Sequence, residues 1–96
     1  MGVTMTTNYR IEFPDFGELD VTLPPSFDDF SWHNDVCPCF MRDNLMIWID
    51  FKDPARREFT DALRFSLWLV NSDGEYIETI CHTDNYEEIL KHIPAM

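Results

Sequence analysis

The sequence predicts an α+β fold: an antiparallel β-sheet of five or six strands, built from hairpins, with one C-terminal α-helix packed on one face. Three observations lead there. Apolar runs of strand length are separated by turn residues, an Asp-Gly turn joins two of those runs, and a single helical stripe lies near the end. The chain's 96 residues suit one domain spanning 1–96, which would bury roughly 65% of its unfolded surface. At 45% apolar and 15% aromatic, the composition is too rich for a disordered acidic tail.

Residues 9–13 alternate Tyr9, Ile11 and Phe13 with Arg10 and Glu12, the period-2 mark of a half-buried strand. Pro14-Asp15-Phe16-Gly17 reads as a turn, after which Leu19, Val21 and Leu23 alternate with Glu18, Asp20 and Thr22. An N-terminal hairpin with one wet face is expected, ended by Pro24-Pro25, which cannot donate to a ladder. Residues 26–35 hold no regular period and read as a long loop or a short helical turn. Connections of that length are often functional.

Residues 39–41 start a strand, Arg42-Asp43-Asn44 turn, and residues 45–51 return. The returning strand is apolar on both faces, with Leu45, Ile47, Ile49 and Phe51 opposed to Met46 and Trp48, so it belongs at the sheet centre. A polar connection opens with Lys52-Asp53-Pro54 and runs to residue 63. Residues 65–70 are again two-faced, with Phe65, Leu67 and Leu69 opposed to Ser66, Trp68 and Val70. Asn71-Ser72-Asp73-Gly74 makes a hairpin turn, because Asp-Gly accepts positive φ, and residues 75–82 form the partner strand. The helix follows, with Asp84 as its cap and Glu87 three residues on. Tyr86, Ile89, Leu90 and Ile93 make its apolar stripe, and Pro94 stops it.

One short helix cannot cover a whole sheet face and cannot touch the other. Met46, Trp48 and Trp68 are therefore expected to lie partly open unless the N-terminal loop folds over them. An open patch of that kind marks a protein contact, while a covered one is ordinary core.

Charge is segregated along the chain. Residues 11–41 hold seven acids (Glu12, Asp15, Glu18, Asp20, Asp28, Asp29, Asp35) and no Lys or Arg. Residues 42–64 hold five of each sign, and residues 65–90 hold six acids (Asp73, Glu75, Glu78, Asp84, Glu87, Glu88) with no base. The net charge of −11 repels nucleic acid and anionic membranes, so neither is an expected partner; basic protein surfaces are. On the expected hairpin, Glu18 and Asp20 would project from one face about 7 Å apart. That approximates the spacing of successive phosphates, so such a row can enter a groove built for nucleic acid. A solvated, solubilising surface is the plainer alternative.

Three cysteines, Cys37, Cys39 and Cys81, are an odd number, and residues 1–10 show no secretory signal, so a reduced cytoplasmic setting is expected. No apolar run approaches the length of a membrane span. Met1-Gly2-Val3-Thr4-Met5-Thr6 matches a short myristoylation pattern, which does not outweigh that reading.

Chemistry-bearing constellations are weak. His33, Cys37, Cys39, Cys81 and His82 have the residue types for zinc but poor spacing, and Cys81-His82 would point to opposite faces of a strand. Cys37-Pro38-Cys39 lacks a following helix to lower a thiol pKa. A Cys nucleophile beside His33 and Asp35 lacks an oxyanion hole, and three glycines cannot build a phosphate loop. No enzyme, cofactor or metal is expected. Arg56-Arg57 is the one basic cluster, with Asp53, Glu58 and Asp61 at hand for internal pairing.

The stretch Phe30-Ser31-Trp32-His33-Asn34-Asp35-Val36-Cys37-Pro38, with Ile49-Asp50-Phe51-Lys52-Asp53-Pro54 and Arg57-Glu58-Phe59, resembles small acidic uncharacterised proteins of bacteriophages and prophages. The resemblance covers roughly the middle and C-terminal two-thirds and carries no assigned catalytic residues. It implies a defence inhibitor of the anti-CRISPR type, several of which mimic nucleic acid, acting in the host cytoplasm. The expected function is thus a non-enzymatic inhibitor of a basic, nucleic-acid-binding host complex. Its partner-binding residues would be Glu18, Asp20, Asp28, Asp29, Asp35, Glu75, Glu78, Glu87 and Glu88, with Phe27, Phe30 and Trp32 as aromatic anchors. The alternative is a self-associating module that dimerises through the sheet face bearing Trp48 and Trp68.

Overall fold

The computed structural model describes residues 8–59 and 62–93. The myristoylation pattern at the start, Asp61 and Pro94 lie outside these. The fold is α+β, with a five-stranded antiparallel sheet in the order β1-β2-β3-β4-β5. The strands are Asp28–Asp29 (β1), Cys39–Arg42 (β2), Leu45–Ile49 (β3), Phe65–Val70 (β4) and Tyr76–Thr83 (β5). A short helix, Tyr9–Glu12 (α1), precedes them and a second, Tyr86–Lys91 (α2), follows. A 3₁₀ turn at Pro54–Arg56 lies between β3 and β4. Among the described residues no helix is long and apolar enough to cross a membrane.

The central strands β3 and β4 form where the two-faced apolar runs predict them, and β2 forms where residues 39–41 are expected to start a strand. β3 pairs with β4 from Leu45↔Leu69 to Ile49↔Phe65, which sets Ile47 opposite Leu67 and Met46 opposite Trp68. Asp43 takes a positive φ of 52° in the β2–β3 turn, and Gly74 one of 82° in the β4–β5 turn. β5 carries two register shifts, between the partners of Leu67 and Trp68 and of Leu69 and Val70, which the alternation did not announce.

The N-terminal hairpin does not form. Asn8, in an extended conformation, accepts a hydrogen bond from the Arg10 amide and caps a single helical turn instead. Tyr9 and Phe13 are four residues apart, so a helical turn brings them to one side as well as a strand would. Ile11, which a strand would have buried with them, is 73% exposed. Leu19, Val21 and Leu23 do alternate inward, but against the core under the sheet rather than beside a partner strand. Their segment is held by bonds from Leu19 N–H to Tyr9 Oη at 3.1 Å and from Tyr86 Oη–H to the Thr22 carbonyl at 2.9 Å, and by the Arg64 guanidinium on Asp20.

The helix begins one residue later than expected. Asn85 is its N-cap and accepts from the Glu87 amide. Asp84 instead accepts from the Arg64 amide at 2.8 Å, tying the helix entry to β4.

These elements make the two sheet faces unequal. One face buries Phe40, Ile47, Ile49, Phe65 and Leu67 beneath Ile89 of α2, with Tyr9, Phe16, Leu19, Val21, Leu23, Phe27, Tyr86 and Ile93 packed around them. The other face carries Cys39, Met46 and Val70, with Met41, Trp48 and Trp68 half-buried on it. The N-terminal segment packs on the first face, so it does not close over the tryptophans.

Candidate binding cavity on the open sheet face

Alternation fixes the floor of the open face. Trp48 and Asp50 are two residues apart at the end of β3, as are Ser66 and Trp68 on β4, so each pair projects from the same side. Pairing of Trp48 with Ser66 and of Ser66 with His82 sets these groups in a row across three strands. The two indole rings meet at 5.0 Å between centroids, tilted by 56°, and Tyr76 meets Trp68 edge-on at 4.8 Å.

Two loops wall this floor. Residues 34–37 descend on one side, held by the Asp35 amide donating to the Trp32 carbonyl at 2.9 Å. Phe59 and residues 62–64 stand on the other side, where the Arg57 guanidinium donates to the Phe51 and Ala62 carbonyls at 2.8 and 2.7 Å. Between them lies an open cavity of about 350 Å³, lined by Trp48, Trp68, Asp35, Asp50, Arg64 and His82 among others. Val36, Phe59 and Leu63 also line it and are strongly exposed, which makes its rim apolar.

Both cavity carboxyls sit above their ordinary range because burial disfavours their charged form. Asp50 is only 9% exposed. Its Oδ1 accepts from the Phe51 amide at 2.8 Å, and among the described residues it has no ion-pair partner. The nearby Arg57 and Arg64 pull weakly in the other direction, since their guanidinium groups donate elsewhere. Trp48 Nε1 is buried and has no hydrogen-bond partner among the described residues.

Cys37 also lines the cavity, and burial first, then the Asp50 carboxylate, pushes its thiol far above the ordinary range. Cys39 is pushed up to about 12 by burial and by Asp35 and Asp29. Neither thiol is poised as a thiolate. The His/Cys set is split by the sheet: Cys81 lies against the closed-face core and His82 lines the cavity, while His33 Nδ1 meets Glu12 Oε1 at 2.8 Å. Among the described residues no group of three or more His, Cys, Asp or Glu is gathered to hold a metal.

The sequence-derived acidic row does not survive. Glu18 and Asp20 are on no strand; Glu18 meets Arg10 at 3.0 Å, and Asp20 binds Arg64 through two bonds of 2.7 and 2.9 Å. Asp29 accepts from the Tyr9 and Ser31 amides at 2.7 and 2.9 Å and so organises the local chain. Phe27 is half-buried on the closed face beneath the Arg42 guanidinium, 4.9 Å from its ring centroid. Phe30 and Trp32 are exposed, Trp32 lying 4.2 Å from the His33 ring. Glu75 accepts from the Asn71 side chain and Glu88 from Lys91, while Asp28, Glu78 and Glu87 are exposed and form no ion pair among the described residues.

Of the expected partner residues, only Asp35 lies in the cavity. Asp50, Phe59 and Leu63 were not singled out from the sequence, although the Trp48/Asp50 alternation was readable there. The chain matches no family model, curated protein or solved structure.

Proposed function

We propose that the chain is a non-enzymatic acidic binding protein that occupies a basic, nucleic-acid-handling surface of a partner complex and blocks it. A phage-borne inhibitor of host defence, of the anti-CRISPR type, is the concrete form of this reading. The observation that carries it is where the acids sit. Eighteen Asp and Glu face seven Lys and Arg, and apart from the buried Asp50 and the half-buried Glu12 and Asp29 the acids among the described residues are exposed. The net charge of −11 is therefore carried largely on the surface. A surface so charged associates with basic groups and opposes its own compact state, a cost that a binding role offsets.

The test is capture of the tagged protein's partners from a bacterial lysate, followed by a competition assay on the recovered complex. The expected result is a nucleic-acid-binding complex, retained at low salt and released at high salt, that loses its nucleic acid when this protein is added. Capture insensitive to salt, or a complex that keeps its nucleic acid, would overturn the proposal.

A second reading, self-association through the open face, is favoured by the uncovered Trp48, Trp68 and Tyr76. Sedimentation at two concentrations decides it: a strictly monomeric species removes it.

A further inference from the structure

We propose that the open-face cavity receives the guanidinium of one arginine side chain from a basic partner, stacked on Trp48 and Trp68 and paired with Asp50 and Asp35. This inference rests on the proposed basic partner and names how one of its groups is read. The cavity, at about 350 Å³, is at the small end of ligand sites and holds one side chain better than a folded segment.

Three features select the occupant. First, Asp50 is nine-tenths buried, yet among the described residues its carboxylate accepts a hydrogen bond only from the next amide and forms no ion pair. A buried carboxylate whose neighbouring guanidinium groups, those of Arg57 and Arg64, are bonded elsewhere favours an arriving cation, which restores its charged form. Second, the flanking surface is aromatic and apolar, from Trp48 and Trp68 to Phe59 and Leu63. That surface stacks a planar, weakly hydrated guanidinium more readily than a strongly hydrated ammonium. Third, Arg64, the cavity's own arginine, is held by Asp20 and the Asp50 carbonyl, so it does not fill the place. Arginine is also the residue that nucleic-acid-handling surfaces use most to grip phosphates and base edges.

The experiment titrates a capped Gly-Arg-Gly peptide into the full chain and follows the indole N–H signals of the three tryptophans by NMR. A citrulline peptide of the same shape, uncharged, and a Gly-Lys-Gly peptide serve as comparisons. The Trp48 and Trp68 signals should shift saturably, with a dissociation constant on the order of 1 mM as befits one side chain. The lysine peptide should bind more weakly and the citrulline peptide roughly tenfold more weakly. Asp50→Asn, which keeps an acceptor for the Phe51 amide, should weaken the arginine peptide roughly tenfold. Asp35→Asn should weaken it less, because Asp35 is exposed, and Asp73→Asn, an exposed turn residue outside the cavity, should leave it unchanged.

Unmoved Trp48 and Trp68 signals, equal binding of the citrulline peptide, or an equal loss in Asp73→Asn would each overturn the site. Signals that shift with protein concentration alone would assign the face to a second copy and overturn it too. Salt-sensitive capture of a basic complex together with silent indoles would remove the arginine site and leave the acidic-surface reading standing. The reverse pattern would remove that reading alone.

Discussion

The two faces of the sheet are made from the same strands yet are finished differently. On the closed face, side chains from α2 and from the N-terminal segment meet Ile47, Ile49 and Leu67, all fully buried. On the open face, the β4–β5 turn reaches only one end, where a Cβ on Gly74 would meet Met41 Sδ at 3.7 Å and Met46 Cε at 3.8 Å. Toward the other end the tryptophans are left half-buried beside Asp35 and Asp50, which form no ion pair among the described residues. The closed face is organised for stability, because apolar area removed from water is the main favourable contribution to folding. The open face keeps groups that a purely structural surface has no use for.

The comparison is broken most directly by truncating neighbours on one strand. Leu67→Ala, on the closed face, should destabilise by about 3 kcal/mol through lost burial and a cavity that cannot collapse. Trp68→Leu, the next residue and on the open face, should cost about 1 kcal/mol, because much of its surface is already wet. Urea unfolding followed by circular dichroism measures both. Equal losses would mean that the open face is core, and the binding reading of its tryptophans would go with it.

This inequality was partly legible in the sequence. The two-faced runs at residues 45–51 and 65–70 reveal central strands, and the alternation within them sorts Ile47 and Leu67 from Trp48 and Trp68. What alternation does not carry is the partner. Leu19, Val21 and Leu23 point inward on every second residue, as strand residues do, but lie across a core instead of along a ladder. Tyr9 and Phe13 satisfy a strand period and a helical i,i+4 spacing alike, and the Asn8 cap decides between them. The cavity is less legible still, because its walls, residues 34–37 on one side and Phe59 with residues 62–64 on the other, lie outside the strands and are held by tertiary bonds such as those of Arg57. The acidic residues were readable by number and not by partner, which is why Asp20 was placed in a binding row when it serves Arg64.

Asp20 and Asp50 extend the comparison to charge. Asp20→Asn should cost about 1 kcal/mol, a figure held down by the partial exposure of the pair despite its two-bond geometry. The hydrogen bonds from Arg64 hold the Asp20 carboxyl below its ordinary value. Its contribution is therefore present above the unfolded-state value and lost as pH falls through the folded one. The gap between wild type and variant should be full at pH 7 and close progressively below about pH 4. A gap that stayed constant into acid would assign the Asp20 effect to shape rather than charge.

Asp50 should behave in the opposite sense. Burial raises its carboxyl, so ionisation costs stability; that cost is full above the folded value, eases as pH falls through it, and vanishes below the unfolded one. Asp50→Asn should then be neutral or stabilising at pH 7, by about 1 kcal/mol or less, and indistinguishable from wild type in acid. Urea midpoints at the two pH values measure it. A loss of stability at pH 7 would make Asp50 a structural anchor, satisfied within its own chain. A gain would mean that the fold tolerates an ionised, buried carboxylate it does not need, which is the condition under which an incoming cation can supply the missing partner.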